Sequence, residues 1–109
     1  MNVRLSQGQL RVRVSKEEAS EALEKGMIRE EFKLPNGTAL SCTVLAVSTR
    51  EALFVTLTEG GISCNVSQEA FAGLLEGGPS REAVLTYEAT SDFSYAVEID
   101  LFSFKEKRR

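Results

Sequence analysis

The chain repeats itself at an offset of 52 residues, and this internal repeat limits what it can fold into. Without gaps, the offset aligns VSKEEASEALEKG at residues 14–26 with VSQEAFAGLLEGG at residues 66–78. Twelve aligned positions are identical, at residues 3, 5, 8, 14, 15, 17, 23, 24, 26, 29, 30 and 38 of the first copy. A fixed period of this kind indicates one structural unit used twice. We therefore predict a single domain, residues 1–104, made of two repeats (1–52 and 53–104), with a basic C-terminal tail at 105–109.

Each repeat opens with an alternating apolar pattern and then changes to helical spacing. The runs VRLS and LRVRV, separated by a turn, predict a β-hairpin, and LFVTLT and ISCNV repeat it around TEGG, whose glycines suit a tight turn. Ser15 and Ser67 follow as helix N-caps, and Glu18 can complete a capping box with Ser15. Gly26 and the glycines at 77–78 supply left-handed helix stops.

After each helix the apolar period returns to two. IREEFKL and ALSCTVLAV flank the PNG turn, and in the second copy REAVLTYEA and FSYAVEIDLF flank ATSD. The last strands align only after a slip of one residue, which we place in a longer ATSD loop. Each repeat is thus hairpin, helix, hairpin (ββαββ), with short links that favour antiparallel pairing. The predicted class is α+β, with two helices and eight mainly antiparallel strands, related by a pseudo-twofold axis. A single curved sheet or barrel and two facing layers both remain open.

The chain also resembles a family of short bacterial proteins. The resemblance rests on the order of VRLS, LRVRVSKEEASEALEKGMIREEFKLPNG, VTLTEGGISCNVSQEAF and YAVEIDLF, and it extends over most of residues 2–102. Members end on a strand with the pattern Val-Glu-any-Asp-aromatic or Leu, met here by Val97, Glu98, Asp100 and Leu101. The family is functionally uncharacterised, so the resemblance implies a bacterial cytoplasmic protein and no particular chemistry. The chain departs from the pattern in having FSFKEKRR where members often carry a cysteine.

Composition and charge exclude several classes of protein. The net charge is −3 and the pI is about 5.1, so the chain lacks the electropositive field that binding to nucleic acid requires. No apolar run approaches the roughly 20 residues of a membrane span, and the start carries no secretory signal. We therefore expect a cytoplasmic protein that binds neither membranes nor nucleic acid. The basic cluster KEKRR is interpreted as a solubilising tail.

The residues that usually perform catalysis or bind metals are scarce. There is no histidine, which excludes histidine general acid-base catalysis, triads and the common zinc sites. Cys42 and Cys64 fall on the apolar phase of their strands and are interpreted as buried free thiols. No phosphate-binding glycine loop occurs. We therefore predict no catalytic residue, no metal site and no cofactor.

What remains is a charged strand face. Arg11 and Arg13 point away from the apolar side of the second strand, and Glu98 and Asp100 do the same on the eighth. If these strands lie close together, the four residues form a cross-strand charge ladder on a solvated face. If the face is concave, the arginines could hold an anionic ligand or the carboxylates a divalent cation. These four residues are the candidate ligand-binding site.

Three functions remain open at this level. The first is a noncatalytic binding or interaction protein, with either a protein partner or a small anionic ligand. The second is a metal-dependent enzyme acting on a phosphorylated small molecule through Glu98 and Asp100. The third is a self-associating structural module, with the long apolar strand at 93–104 as an uncovered edge. The repeated Arg29-Glu30 and Arg81-Glu82 are interpreted as structural pairs near the pseudo-twofold axis.

Overall fold

The computed structural model describes residues 1–76 and 83–100. Within them the chain forms two helices and eight strands, in the order ββαββ twice, so the predicted class and element order are confirmed. The elements are β1 (Asn2–Ser6), β2 (Gln9–Ser15), α1 (Lys16–Lys25), β3 (Met27–Lys33), β4 (Ala39–Val47), β5 (Leu53–Thr58), β6 (Gly61–Ser67), α2 (Gln68–Leu75), β7 (Ala83–Thr90) and β8 (Phe93–Asp100).

The strands form two separate four-stranded sheets rather than a barrel. Sheet I has the order β1-β2-β8-β7, and sheet II has the order β3-β4-β6-β5. The outer pairs of each sheet are antiparallel hairpins, whereas the central pairs, β2 with β8 and β4 with β6, are parallel. The barrel alternative is therefore wrong for the described strands. A barrel does not form because each helix carries the chain from one sheet to the other, so that no strand closes either sheet on itself.

Each sheet takes one hairpin from each repeat. Sheet I joins the first hairpin of repeat one to the second hairpin of repeat two, and sheet II joins the remaining two hairpins. Exchanging the repeats maps the order β1-β2-β8-β7 onto β5-β6-β4-β3, which is sheet II read backwards. The two sheets are therefore equivalent under the pseudo-twofold relation. Neither repeat contains a complete sheet of its own.

Strand pairing locates the differences between the repeats. Arg13 and Asn65 are equivalent at the offset of 52 residues, and they pair with Glu98 and Leu45, respectively. Leu45 is therefore equivalent to Glu98, at an offset of 53 residues. This confirms the one-residue slip of the last strand. Its predicted origin in a longer ATSD loop is wrong. Met27 pairs with Leu45 and Val84 pairs with Glu98, so Met27 is equivalent to Val84, at an offset of 57 residues. The segment before the third strand of the repeat is therefore five residues longer in repeat two. The segment between its third and fourth strands is four residues shorter. The turn at 91–92 is short, with a register shift beside it in β7.

That register also separates the two Arg-Glu dipeptides. Arg29 is equivalent to Thr86, and the dipeptide at 81–82 lies outside the described residues. Arg29 instead lies 3.8 Å from Glu31 on its own strand, and both side chains are exposed. An exposed pair at this distance stabilises the fold by less than about 1 kcal/mol.

The core lies where the helices cover the inner faces of both sheets. Helix α1 contacts β2 and β8 of sheet I and β3 and β4 of sheet II, while α2 contacts β4, β6, β7 and α1. Alternation on the strands buries one face, and small α1 residues allow close approach: Ala19 and Ala22 are fully buried. The core comprises valines of both sheets, Cys42, Cys64 and the ring of Phe71 from α2, among others.

Both helices begin at the predicted caps. The Ser15 hydroxyl accepts a hydrogen bond from the Glu18 amide, and the Glu18 carboxylate accepts one from the Ser15 amide, which confirms the capping box. Ser67 caps α2 by accepting from the amide of Ala70. Gly26 ends α1 with a φ of 97°, as predicted. Helix α2 ends at Leu75, and the predicted stop at 77–78 lies outside the described residues.

Glu18 has a further role, because its carboxylate lies 2.6 Å from the α-amino group of Met1. Burial lowers the pKa of that amino group, but the hydrogen bond and charge of Glu18, together with Glu30, raise it more, so its pKa is raised overall. Burial likewise opposes a lowered pKa for Glu18, yet the bonds from Met1 and Ser15 bring it below its ordinary value. The two opposite shifts show that each group stabilises the charged form of the other.

Removing either cap is expected to destabilise the protein moderately. Replacing Ser15 or Ser67 with alanine leaves helix amides without an acceptor, and we expect a loss of about 0.5–2 kcal/mol in the free energy of unfolding. Urea denaturation of each variant measures this. The matched control is Ser20→Ala, because Ser20 is exposed within α1 and caps nothing. If Ser15→Ala and Ser67→Ala were both as stable as Ser20→Ala, the hydroxyls would not be acting as caps.

Candidate functional site

The outer face of sheet I carries the predicted charged residues. Val12 and Val14 of β2 are buried, which turns Arg11 and Arg13 to the opposite face. Val97 and Ile99 of β8 are buried in the same way, which turns Glu98 and Asp100 outward. Because β2 and β8 run in parallel, Arg13 stands opposite Glu98 and Ser15 stands opposite Asp100. All four predicted residues therefore share one face of two neighbouring strands.

These four residues form a ladder of ion pairs. Arg11 donates from Nη1 to Glu98 Oε1, and Arg13 Nε lies 3.2 Å from Glu98 Oε2. Arg13 Nη2 lies 3.5 Å from Asp100 Oδ2. The Glu98 side chain is only 17% exposed, while those of Arg11 and Arg13 are 42% and 50% exposed. One carboxylate thus bridges two guanidinium groups whose remaining N–H donors are accessible to solvent.

The structure adds a third arginine that the sequence analysis did not identify. Arg4 of β1 stands directly opposite Arg11 in the antiparallel hairpin, and its side chain is exposed. Among residues 1–76 and 83–100 no carboxylate pairs with Arg4. The signal was present in the sequence, because a turn of two residues, Gln7 and Gly8, sets this register.

These side chains enclose a small concavity, which we call the arginine cleft. It has a volume of about 170 Å³ and is lined by Asn2, Arg4, Arg11, Arg13 and Glu98. With Asp100 included, this cluster sets three guanidinium groups against two carboxylates and carries a net charge of +1. Like charges directly opposite each other across strands are unfavourable. Arg4 and Arg11 are therefore placed where an added anion would relieve their repulsion.

The same geometry bears on the metal hypothesis. Both oxygens of Glu98 already contact guanidinium groups, Oε1 that of Arg11 and Oε2 that of Arg13, and Asp100 faces Arg13. A hard cation prefers six or more oxygen ligands. Within the part of the chain that the structure describes, no group of three or more acidic, cysteine or histidine residues is arranged to hold a metal ion. The contacts of this face favour an anion over a cation.

Sheet II provides an internal comparison, because its outer face is equivalent to that of sheet I. The equivalent positions carry no charge: Arg4, Arg11, Arg13, Glu98 and Asp100 correspond to Thr56, Ser63, Asn65, Leu45 and Val47. There Asn65 donates from Nδ2 to the carbonyl of Phe54 at 3.1 Å and to Thr56 Oγ1 at 3.2 Å. The same backbone arrangement is thus built with uncharged side chains at these five positions. The charges of sheet I are not required by the strand architecture.

The two cysteines lie in the core, as predicted. Cys42 and Cys64 are free and buried, two positions out of register on the neighbouring strands β4 and β6. The hydrogen bond between the two thiols lowers the pKa of Cys42, against the effect of burial, and raises the pKa of Cys64, which burial raises further. A thiol held in its protonated form is a poor nucleophile. The burial of both side chains supports the interpretation of the cysteines as core residues.

A larger cavity, of about 560 Å³, lies beside the start of α2. Its lining includes Leu23, Val47, Thr49, Ser67 and Glu69. The hydroxyl of Ser67 is already used as the helix cap, and Glu69 adds a negative charge to the lining. We find no comparable set of converging donors there among the described residues, so the arginine cleft remains the better candidate.

Comparisons with known proteins define the family and nothing finer. Residues 1–108 match the model of a family described as "Family of unknown function (DUF7009)". Neither the curated proteins nor the solved structures contain a match to the chain. Among the helices of the described residues, neither has the length and apolar character needed to cross a membrane.

Proposed function

Because the chain belongs to this family of unknown function, its role has to come from its own geometry, and we propose a noncatalytic protein that binds a small oxyanion in the arginine cleft. One observation carries the proposal: Arg4 faces Arg11 across the hairpin, without a carboxylate partner in the described residues. Guanidinium groups bind carboxylates and phosphates through several parallel hydrogen bonds. The cleft thus offers accessible donors, excess positive charge and room for a small group.

The alternatives receive less support from the contacts. A metal-dependent enzyme acting through Glu98 and Asp100 would have to release Glu98 from both arginines before the carboxylate could bind a cation. The self-associating module was predicted to use the strand beginning at Phe93 as a free edge. That basis is wrong, since β8 lies between β2 and β7 inside sheet I.

We also propose the extent and the compartment of the unit. Residues 1–104 are treated as one domain of two repeats, 1–52 and 53–104, with 105–109 as a basic tail. The exchange of hairpins supports one domain, because each sheet needs strands from both repeats. A bacterial cytoplasmic protein is our proposal for its origin and location, and two cysteines that remain unpaired favour a reducing compartment.

Loss of Arg4 is expected to weaken anion binding. Arg4→Thr installs the residue found at the equivalent position of sheet II, so the fold should tolerate it. Losing one charge-assisted hydrogen bond should weaken binding of inorganic phosphate or pyrophosphate about tenfold. Isothermal titration calorimetry measures the dissociation constants, and binding by wild type should also weaken as salt is added.

The matched control is Arg50→Thr, which removes an exposed arginine between β4 and β5, away from the cleft. It has the same change of net charge as Arg4→Thr and should bind like wild type. Equal affinities of the two variants would show that binding follows overall charge and not the cleft. Absence of binding by wild type across phosphate, pyrophosphate, citrate and acetate would refute the proposed function.

A further inference from the structure

Glu98 already occupies the arginine cleft with the chemical group that an oxyanion ligand would bring. Its two oxygens contact Arg11 and Arg13, one each, and its side chain is mostly buried against them. A carboxylate that bridges two guanidinium groups uses the donors that a bound carboxylate or phosphate would use. A ligand that takes Nη1 of Arg11 therefore competes with Glu98 for that donor.

The contacts indicate which arginine a ligand can take over. Arg13 is held by two carboxylates, those of Glu98 and Asp100. Arg11 is held by Glu98 alone among the described residues, and it has Arg4 directly opposite on its other side. An anion placed between Arg4 and Arg11 would gain two guanidinium partners while displacing one contact of Glu98. Arg13 and Asp100 would keep theirs.

The equivalent position in sheet II shows that the fold does not need this carboxylate. Leu45 occupies the place of Glu98 on β4, on the outer face of the same arrangement of strands. An uncharged residue is therefore compatible with the backbone at this position. The negative charge of Glu98 can therefore influence which ligands bind in the arginine cleft.

Resting on the proposed function, we infer that Glu98 is an internal competitor, which an incoming oxyanion displaces from Arg11. This sets the class of ligand. A monocarboxylate such as acetate only replaces one carboxylate with another, whereas an oxyanion of charge −2 brings more charge to Arg4 and Arg11 than Glu98 removes. The cleft therefore selects doubly charged oxyanions, such as a phosphate monoester group, over monocarboxylates.

Removing the charge of Glu98 tests this inference. Inorganic phosphate and acetate are titrated by calorimetry into wild type, Glu98→Gln and Glu98→Asp. Glu98→Gln should bind phosphate about fivefold more tightly, the effect of releasing one partly exposed ion pair, and should bind acetate better than wild type does. Glu98→Asp keeps the charge and should bind both anions as wild type does. Glu98→Leu, which copies the residue of sheet II, is the second uncharged variant should glutamine disturb the fold.

The outcomes separate this inference from the proposed function. If wild type binds phosphate and the uncharged variants bind it equally or more weakly, Glu98 positions the guanidinium groups instead, and the inference is wrong while the proposed function stands. If neither wild type nor any Glu98 variant binds phosphate, pyrophosphate, citrate or acetate, both are wrong. Tighter binding by Glu98→Gln or Glu98→Leu with unchanged binding by Glu98→Asp supports both.

Discussion

Replacing Phe71 with alanine is expected to lower the free energy of unfolding by about 3–5 kcal/mol. Phe71 is fully buried and is the largest of the fully buried side chains in the described residues. It lies on α2, the helix that contacts α1, two strands of sheet II and β7 of sheet I. Truncation would leave a cavity where these elements meet. Such a loss is a large part of the 5–15 kcal/mol that stabilises a typical domain.

Guanidinium chloride denaturation, followed by circular dichroism, measures this loss. The control is Phe71→Leu, which keeps an apolar side chain of intermediate size and should lose clearly less than the alanine variant. A loss below about 1 kcal/mol for Phe71→Ala would mean that α2 does not pack on the core as the structure describes. Parallel measurement of the unfolding slope checks that the unfolded state is unchanged.

Replacing Gly61 with alanine is expected to destabilise sheet II. A Cβ at this position would overlap the hydroxyl and the backbone carbonyl of Ser41, its partner on β4. The carbonyl cannot turn away without disturbing the central pairing of β4 with β6. Overpacking of this kind costs about 1–3 kcal/mol, and the rigid partner places this site towards the upper end.

The control for this variant is Gly73→Ala, for which the expected change in stability has the opposite sign. Gly73 lies within α2, and a Cβ there would meet nothing within 4 Å, so Gly73→Ala should stabilise the protein by about 0.5–1 kcal/mol through helix propensity. Both variants add one methyl group, and thermal unfolding reports both. If Gly61→Ala melted at or above the temperature of wild type, the close approach of β4 and β6 at this point would be wrong.

Local patterns were sufficient to predict the elements of this fold. The alternation of Val12 and Val14 with charged residues assigns the two faces of β2, and the serine caps mark both helix starts. Pairing between the repeats could not be predicted in this way. Whether β2 pairs with β8 in parallel depends on which hairpins share a sheet. An alternating pattern shows only that one face of a strand is buried, and it does not identify the neighbouring strand. The same limitation left barrel and layers undecided.

Compensating length changes concealed the true alignment of the repeats. Repeat two has five added residues before its third strand and four fewer after it, so the two changes nearly cancel. An ungapped comparison therefore continues past the insertion and aligns residues there that are not structurally equivalent. Such changes fall in connections because loops tolerate length differences better than strands do. The match of Arg29 with residue 81 was therefore a coincidence of numbering.

Four residues of the candidate site were predicted from the sequence, but their side-chain contacts and the participation of Arg4 were not. Arg11, Arg13, Glu98 and Asp100 were correctly expected to form a charge ladder if their strands were neighbours, and the structure makes them neighbours. Their alternation could not show that Glu98 would bridge both arginines, because that depends on side-chain geometry across two strands. Arg4 was missed because β1 was considered only for its apolar face.

The exchange of hairpins between the sheets also favours one order in which the sheets close during folding. Sheet II is built from one continuous stretch, and its central pairing joins Ser41 to Gly61, only 20 residues apart. Sheet I joins the two ends of the chain, with Gln9 and Ser94 separated by 85 residues. Closing the longer loop costs about 1.3 kcal/mol more in chain entropy, so sheet I gains from forming on a completed sheet II. The arginine cleft, which needs β1, β2 and β8 together, then exists only once the last long-range pairing is made.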